Sequence, residues 1–248
     1  MNYKTILGFA VFVGIWYVIS NIGIIDPLFI ESPEKTFVKL IELFATGNLV
    51  PDIAYTLGRV FLGFFISMGI GIPVGLALGY SRTLYDIFQP LVDFFRSVPA
   101  TALFPLFLLF FGISDFSKVA IVIFGSSLLI IINSMYGVHH ANKTRILLAK
   151  TFGAKRKDIF EKVVFYEALP SIFVGLRLAI SLSLVLVVVS EMILSGTNTG
   201  LGLRIFNAHL VYNIAEMYSA IIVTGIIGYI LNILILRLER KLVHYAGK

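Results

Sequence analysis

Apolar residues in this chain fall in long continuous runs separated by short polar stretches. Six runs stand out, at 5–22, 53–80, 98–112, 117–136, 170–194 and 215–236. Most approach or exceed the roughly 20 residues that carry a helix across a bilayer. None shows the ten-residue polar–apolar alternation of a membrane-embedded strand. The pattern therefore predicts an all-α polytopic membrane protein with six transmembrane helices, forming one domain over 1–248. A secretory signal peptide could also open on an apolar run. Here the run 5–22 is long for one and no A-x-A cleavage site follows it, so it is read as a retained span.

The stretches between the runs add detail. Ser32-Pro33-Glu34 has a helix start written into it, Ser as N-cap and Pro at the first helical position. Phe37, Leu40, Ile41 and Phe44 then recur at helical spacing, so 33–46 reads as an amphipathic helix lying on the membrane surface. The second run carries a small residue at every fourth position from Gly63 through Ser67, Gly71 and Gly75 to Gly79. These share one ridge, where a neighbouring backbone can approach closely. Pro73 is expected to kink this helix. Pro90, Pro99 and Pro105 punctuate 84–112, which predicts a helix approaching the membrane, a break near Ser97-Val98-Pro99, and then a span. Broken helices at membrane depth are tolerated where protein or a water-filled cavity surrounds them, so this segment is a candidate pathway wall. Pro170 and Ser171 are expected to start the fifth span.

Composition agrees with this pattern. Apolar residues make up 58% of the chain and charged residues 14%, against about 45–50% and 25% in ordinary soluble domains. A soluble enzyme, a DNA-binding domain and a disordered chain are excluded. The net charge is +6, and its distribution sets orientation. Six spans put both termini on one side, together with 14 of the 20 Lys and Arg residues, seven of them in the loop 137–168; the opposite side has 4. Basic loops stay in the cytoplasm, so both termini and this loop are placed there.

Catalytic chemistry is missing. No G-x-x-x-x-G-K-[ST] occurs, so there is no P-loop. Leu194-Ser195-Gly196 resembles the start of a transporter-ATPase signature, but it follows a span directly on the outer side. With no cysteine in the chain, thiolate metal sites and Cys nucleophiles are excluded. His139, His140, His209 and His244 read as loop histidines, so no metal site is expected. The chain is not expected to be an enzyme.

The loop from Arg145 to Ile172 reads RILLAKTFGAKRKDIFEKVVFYEALPSI. Ile146, Leu147, Ala149 and Phe152 suggest a short amphipathic helix, and Gly153 can take the left-handed conformation that ends it. A second helix follows from about Lys155, with Ile159, Phe160, Val163 and Val164 on one side. Such a hairpin suits a groove of another protein; it would equally serve as a basic surface loop that fixes topology.

At this loop the sequence resembles the membrane-spanning permease subunit of bacterial ABC importers, in the branch for nitrate, aliphatic sulfonates, taurine and thiamine-precursor pyrimidines. That family's loop reads E-A-A-x3-G-x9-I-x-L-P. Ala149 matches its second alanine and Gly153 its glycine, and Val163 falls at its isoleucine. Leu147 and Leu148 stand in place of Glu and Ala, and Phe165-Tyr166 replaces the first Leu-Pro, while Leu169-Pro170 supplies a second. SPEKTFVKL, the stretch Thr56–Ser81, RSVPATALFPLFLLFFGISDFSK and SEMILSGTNTGLG resemble further family segments in the same order. The resemblance implies the type I importer permease fold. It implies partners too: a second permease copy, two cytoplasmic ATPase subunits carrying ATP and Mg, an extracytoplasmic substrate-binding protein, and membrane lipid, with no nucleic acid. It implies a bacterial cytoplasmic (inner) membrane location. The cytoplasmic loop would couple to the ATPase through Ala149, Phe152, Gly153, Lys155, Ile159 and Val163. This chain would hold no cofactor.

Ionisable groups within spans are costly and usually face protein or water. Arg59 and Glu191 both fall in the outer half of the membrane and are expected to pair, structurally or at a gate. Asn133 is expected to hydrogen-bond across helices or line the pathway. A self-contained secondary transporter or channel is the alternative; it would call for internal repeats and paired intramembrane acids. A membrane anchor without a pathway is a third reading.

Overall fold

The computed structural model describes residues 3–22, 25–26, 29–193 and 199–243. Leu194-Ser195-Gly196, His244 and Lys248 lie outside the described residues. All regular structure among the described residues is helical: α1 Tyr3–Asn21, α2 Pro33–Ala45, α3 Val50–Tyr80, α4 Arg82–Ser97, α5 Phe104–Phe111, α6 Asp115–His139, α7 Lys143–Thr151, α8 Arg156–Ile159, α9 Phe165–Ile193, α10 Leu201–Leu210 and α11 Ile214–Leu242. Short polar side chains set the helix starts. Ser32, Ser81, Ser114 and Asn142 each accept a backbone N–H of the first turn that has no helical partner.

Among the described residues, four helical stretches are long and apolar enough to cross a membrane: Val50–Tyr80, Asp115–His139, Arg156–Ile193 and Ile214–Leu242. At about 1.5 Å per residue, each exceeds the roughly 30 Å of hydrocarbon. The expected span at 98–112 is a different object. A 3-10 turn at Ala100–Leu103 leads into the eight-residue α5, and this pair meets α4 at 85°. Counted together as one bent span, they make a fifth. Helix α1 adds a further apolar stretch, Ile6–Asn21.

One further feature differs from the sequence reading: Pro170 lies inside α9, because α8, a π turn at Phe160–Val164 and α9 form one helical run from Arg156. Pro73 lies inside α3. The described chain gathers into two compact units.

One unit comprises 1–56 and 191–227. In it the Trp16 indole N–H donates to the Glu31 carbonyl at 3.0 Å and its ring stacks on Tyr218 at 5.7 Å. The Ser219 hydroxyl donates to the Thr36 carbonyl at 2.9 Å.

The other unit comprises 57–190 and 228–248. α6 is its centre, 67% buried over its apolar window. The small-residue ridge of α3 lies against it. A Cβ on Gly63 would stand 2.5 Å from Val122 Cγ1, one on Gly71 2.7 Å from Ile130 Cβ, one on Gly75 2.5 Å from the Ile131 carbonyl oxygen, and one on Gly79 2.7 Å from Val138 Cβ. Ser67, on the same ridge, donates to the Gly63 carbonyl at 2.8 Å and reaches the Ile123 carbonyl at 3.3 Å. α6 meets α9 in the same manner, through Gly137 on Ala168 and Gly175 on Asn133, and through a Ser126–Ser183 hydroxyl pair at 2.8 Å. Dispersion and hydroxyl–carbonyl bonds thus take the place of the hydrophobic drive that lipid removes.

Candidate functional site

The hairpin α7–α8 is built by local signals. The Asn142 side chain accepts the N–H groups of Thr144 and Arg145 at 2.9 and 3.3 Å, which starts α7. Gly153 takes φ +75°. The N–H of Gly153 then reaches the Lys150 carbonyl and that of Ala154 the Ala149 carbonyl, at 2.9 and 3.0 Å. This left-handed closure turns the chain sharply into Lys155, which caps α8. An Arg145–Glu167 ion pair ties α7 to the start of α9.

The six coupling-loop candidates divide by exposure. Phe152, 87% exposed, stands out with Leu147 at 64% and Leu148 at 53%. Lys155 and Gly153 are exposed, Ala149 and Val163 half-buried, and Ile159 buried. Ile159 therefore anchors the hairpin, while Phe152 and the two leucines present an apolar surface outward. Leu147 and Leu148, which stand where the resembling loop pattern has Glu and Ala, enlarge this apolar surface beside Phe152.

Tyr80, at the end of α3, makes a joint with α8 that the sequence reading did not find. Its ring packs edge-on against Phe160 at 4.8 Å, the Arg156 guanidinium lies 5.2 Å from its centroid, and its hydroxyl donates to the Arg156 carbonyl at 3.3 Å. These contacts join residues 76 positions apart, and no spacing rule reaches that far.

Around the break after α4 is an open cavity of about 280 Å³, lined by Arg96, Pro99, Thr101, Phe124, Leu129 and Leu186 among others. It is mostly apolar, and it lies where the sequence places a pathway wall. Asn133 is not among its lining residues. Its amide donates to the Leu129 carbonyl of its own helix at 2.8 Å, and its Cβ faces Gly175. This hydrogen bond is made within its own helix rather than across helices.

The buried charges have partners that the sequence reading did not name. Arg59, 5% exposed, binds Asp115 through Nε and Nη2 at 2.9 and 2.7 Å, and the buried Lys118 ammonium is 3.9 Å from the same carboxylate. Glu191, fully buried, accepts the Thr56 hydroxyl at 2.9 Å and the Gly202 N–H at 2.9 Å. Thr56 in turn accepts the Leu201 N–H at 3.0 Å. Asp52 accepts the Gly200 N–H at 2.9 Å and an Arg204 N–H, and Arg204 continues to Glu216 at 2.6 Å and to the Asn48 carbonyl at 2.7 Å. The first N–H groups of α10, which have no helical acceptor, are thus satisfied by Asp52, Thr56 and Glu191. Burial opposes the charge on Arg204, but hydrogen bonds and attraction from Asp52 and Glu216 outweigh it and raise its pKa above the ordinary arginine value.

Residues 69–244 match the family described as binding-protein-dependent transport system inner membrane component. A probable ABC transporter permease protein of Brucella abortus is 30% identical over 98% of this chain and 95% of its own length. The taurine transport system permease protein of Escherichia coli is 29% identical over 96% of this chain and 88% of its own. Among solved structures, an inward-facing form of the MetNI methionine ABC transporter aligns with a TM-score of 0.67 at 21% identity, covering 78% of this chain and 95% of that one.

Proposed function

The chain belongs to the family of binding-protein-dependent transport system inner membrane components, and from that premise we propose how this permease subunit works. It is a multi-pass inner-membrane subunit of an ABC importer, acting with an ATPase and a binding protein. Two copies pair as a homodimer, with both termini and the α7–α8 hairpin in the cytoplasm. Each hairpin seats in one ATPase subunit, which holds the ATP and its Mg²⁺, and ATP binding and hydrolysis switch the permease pair between outward-open and inward-open states. The solute is small and of nitrate, sulfonate or taurine type, delivered from outside by the binding protein. The mostly apolar cavity at the broken α4–α5 segment is the part of this chain that supports a pathway role. Arg59 and Glu191 act as gate residues through the buried networks that hold them.

One observation carries the coupling assignment. Leu147, Leu148 and Phe152 are large apolar side chains left more than half exposed on a helix tied down by the Gly153 closure and the Arg145–Glu167 pair. An apolar surface so exposed outside the spans is a partner surface. The test is co-purification from native membranes in mild detergent. A nucleotide-hydrolysing subunit should accompany the tagged chain in equal amount and be lost from the doubly substituted Leu148→Asp/Phe152→Asp chain. Undiminished recovery of that subunit with the doubly substituted chain would remove α7 as the docking element.

A further inference from the structure

Two hollows flank the Tyr80–Arg156 joint; the exposed apolar surface of Leu147, Leu148 and Phe152 lines neither, and neither shares a lining residue with the cavity at the α4–α5 break. One is a cavity of about 560 Å³, lined by Lys150 and Arg156 over an apolar floor of Val138, Ile146, Ile159 and Val164. The other is a groove of about 410 Å³ along Leu76, Ala77 and Phe160, with Lys157 at its edge. Tyr80 and Arg156 line both. Each volume lies within the roughly 300–1,000 Å³ range of small-molecule sites.

We propose that these two hollows together bind one anionic phospholipid, its phosphate between Lys150 and Arg156 and an acyl chain along Leu76, Ala77 and Phe160. The inference rests on the membrane-spanning reading of α3. Charge complementarity supports it. No acidic residue lines either hollow. The neighbouring cations are already engaged, Lys157 with Glu161 at 3.7 Å and Lys162 with Asp158 at 2.9 Å. Lys150 and Arg156 have no carboxylate partner among the described residues, and the Tyr80 ring holds the Arg156 guanidinium in place. Depth supports it as well. Leu76 and Ala77 belong to the last turns of a membrane-crossing helix that ends at Tyr80, and aromatic residues of this kind mark the headgroup level. A site with cations on the headgroup side and an apolar groove leading back along the span suits a lipid better than a soluble anion, which has no use for the groove. Basic pockets between membrane helices take acidic headgroups for the same reason.

The test uses the full transporter, purified with its ATPase and exchanged into nanodiscs of phosphatidylcholine alone or mixed with phosphatidylglycerol, followed by native mass spectrometry. Phosphatidylglycerol should be retained at about one per permease chain. Each basic residue near an acidic headgroup contributes about fivefold, so Lys150→Gln with Arg156→Gln should weaken retention about 25-fold. Ala77→Trp, at an exposed position, should fill the groove and also displace the lipid. Lys150→Gln alone serves if the double change fails to fold, with retention expected to fall about fivefold. Millimolar inorganic phosphate should not compete. Equal retention of phosphatidylcholine, or retention unchanged in the cation variants, overturns the proposal. Displacement by inorganic phosphate with no effect of Ala77→Trp would reassign the cavity to a soluble anion. Loss of the ATPase with phosphatidylglycerol still bound would count against the coupling reading and leave this site standing.

Discussion

Gly200→Ala should be one of the most damaging single-methyl additions in this chain. Gly200 precedes α10 with φ 149° and ψ 152°, a backbone region open essentially to glycine alone, and forcing another residue there costs about 1–3 kcal/mol. An added Cβ would also stand 2.5 Å from Cδ of Glu191 and 2.6 and 2.7 Å from its two oxygens. That carboxylate is fully buried and holds the Thr56 hydroxyl and the Gly202 N–H. Displacing it leaves a buried donor unpaired, at about 1–3 kcal/mol more. The sum is about 2–6 kcal/mol, and at roughly 2–4 °C per kcal/mol the midpoint should fall on the order of 10 °C. Size-exclusion of the heated, detergent-solubilised transporter, followed by fluorescence, measures it. Gly153→Ala is the control, since Gly153 also has positive φ but nothing within 4 Å of an added Cβ; only the left-handed strain of about 1–2 kcal/mol applies. A midpoint for Gly200→Ala no lower than that for Gly153→Ala would refute the contact argument.

Gly75→Ala places a methyl 2.5 Å from the Ile131 carbonyl oxygen, whereas Gly69→Ala meets nothing within 4 Å. Overpacking of about 1–3 kcal/mol should lower the melting midpoint of the first and spare the second. Arg59→Met and Asp115→Asn, alone and combined, should show a coupling of about 0.5–3 kcal/mol in the same assay, and strictly additive losses would reject the pair. Gly153→Val should assemble and hydrolyse ATP while uptake of labelled solute into proteoliposomes falls, because the turn is strained and no packing is lost; normal uptake refutes that role. Asn142→Ala removes the cap of α7 and should cost about 1 kcal/mol, seen as faster amide hydrogen exchange at Thr144 and Arg145.

The features legible in the sequence are those with a local or periodic cause. A small residue every fourth position from Gly63 to Gly79 marks a contact ridge whatever it touches, and the partner turns out to be α6. Ser32-Pro33 fixes the start of α2 through one side chain and one fixed φ. Gly153 is readable as a left-handed cap because only the local turn decides it. The polar network of Asp52, Thr56, Glu191, Arg204 and Glu216 had no such cause. Asp52 and Arg204 are 152 positions apart, and each alone looks like an ordinary surface charge. Arg59 was legible as a charge needing a partner; that Asp115, 56 positions away at the first turn of α6, would take part was not.

Pro170 shows why a correct local rule can give the wrong boundary. Proline is favoured in the first turn of a helix, so after a basic loop it reads as the start of the fifth span. Membrane helices also tolerate proline inside, because neighbouring groups satisfy the freed carbonyl, and here the chain takes that second course. The consequence is mechanical. With α8, the π turn at Phe160–Val164 and α9 forming one run of 38 residues, the element that Tyr80 clasps is the end of a rod about 57 Å long at 1.5 Å per residue. A separate loop helix could move without disturbing the membrane segment. A continuous one cannot, except at the π turn, where the helical register is already offset by one residue and where such turns often accompany function. Deleting one residue from the plain α-helix just after the π turn, within Phe165–Ala168, should therefore rotate α8 by about 100° against the rest of α9 and break the Tyr80–Arg156 contact. Such a variant should keep its membrane segment and lose ATPase co-purification. Undiminished recovery of the ATPase would mean that the rotational setting of α8 on α9 is not needed to present α7 and α8.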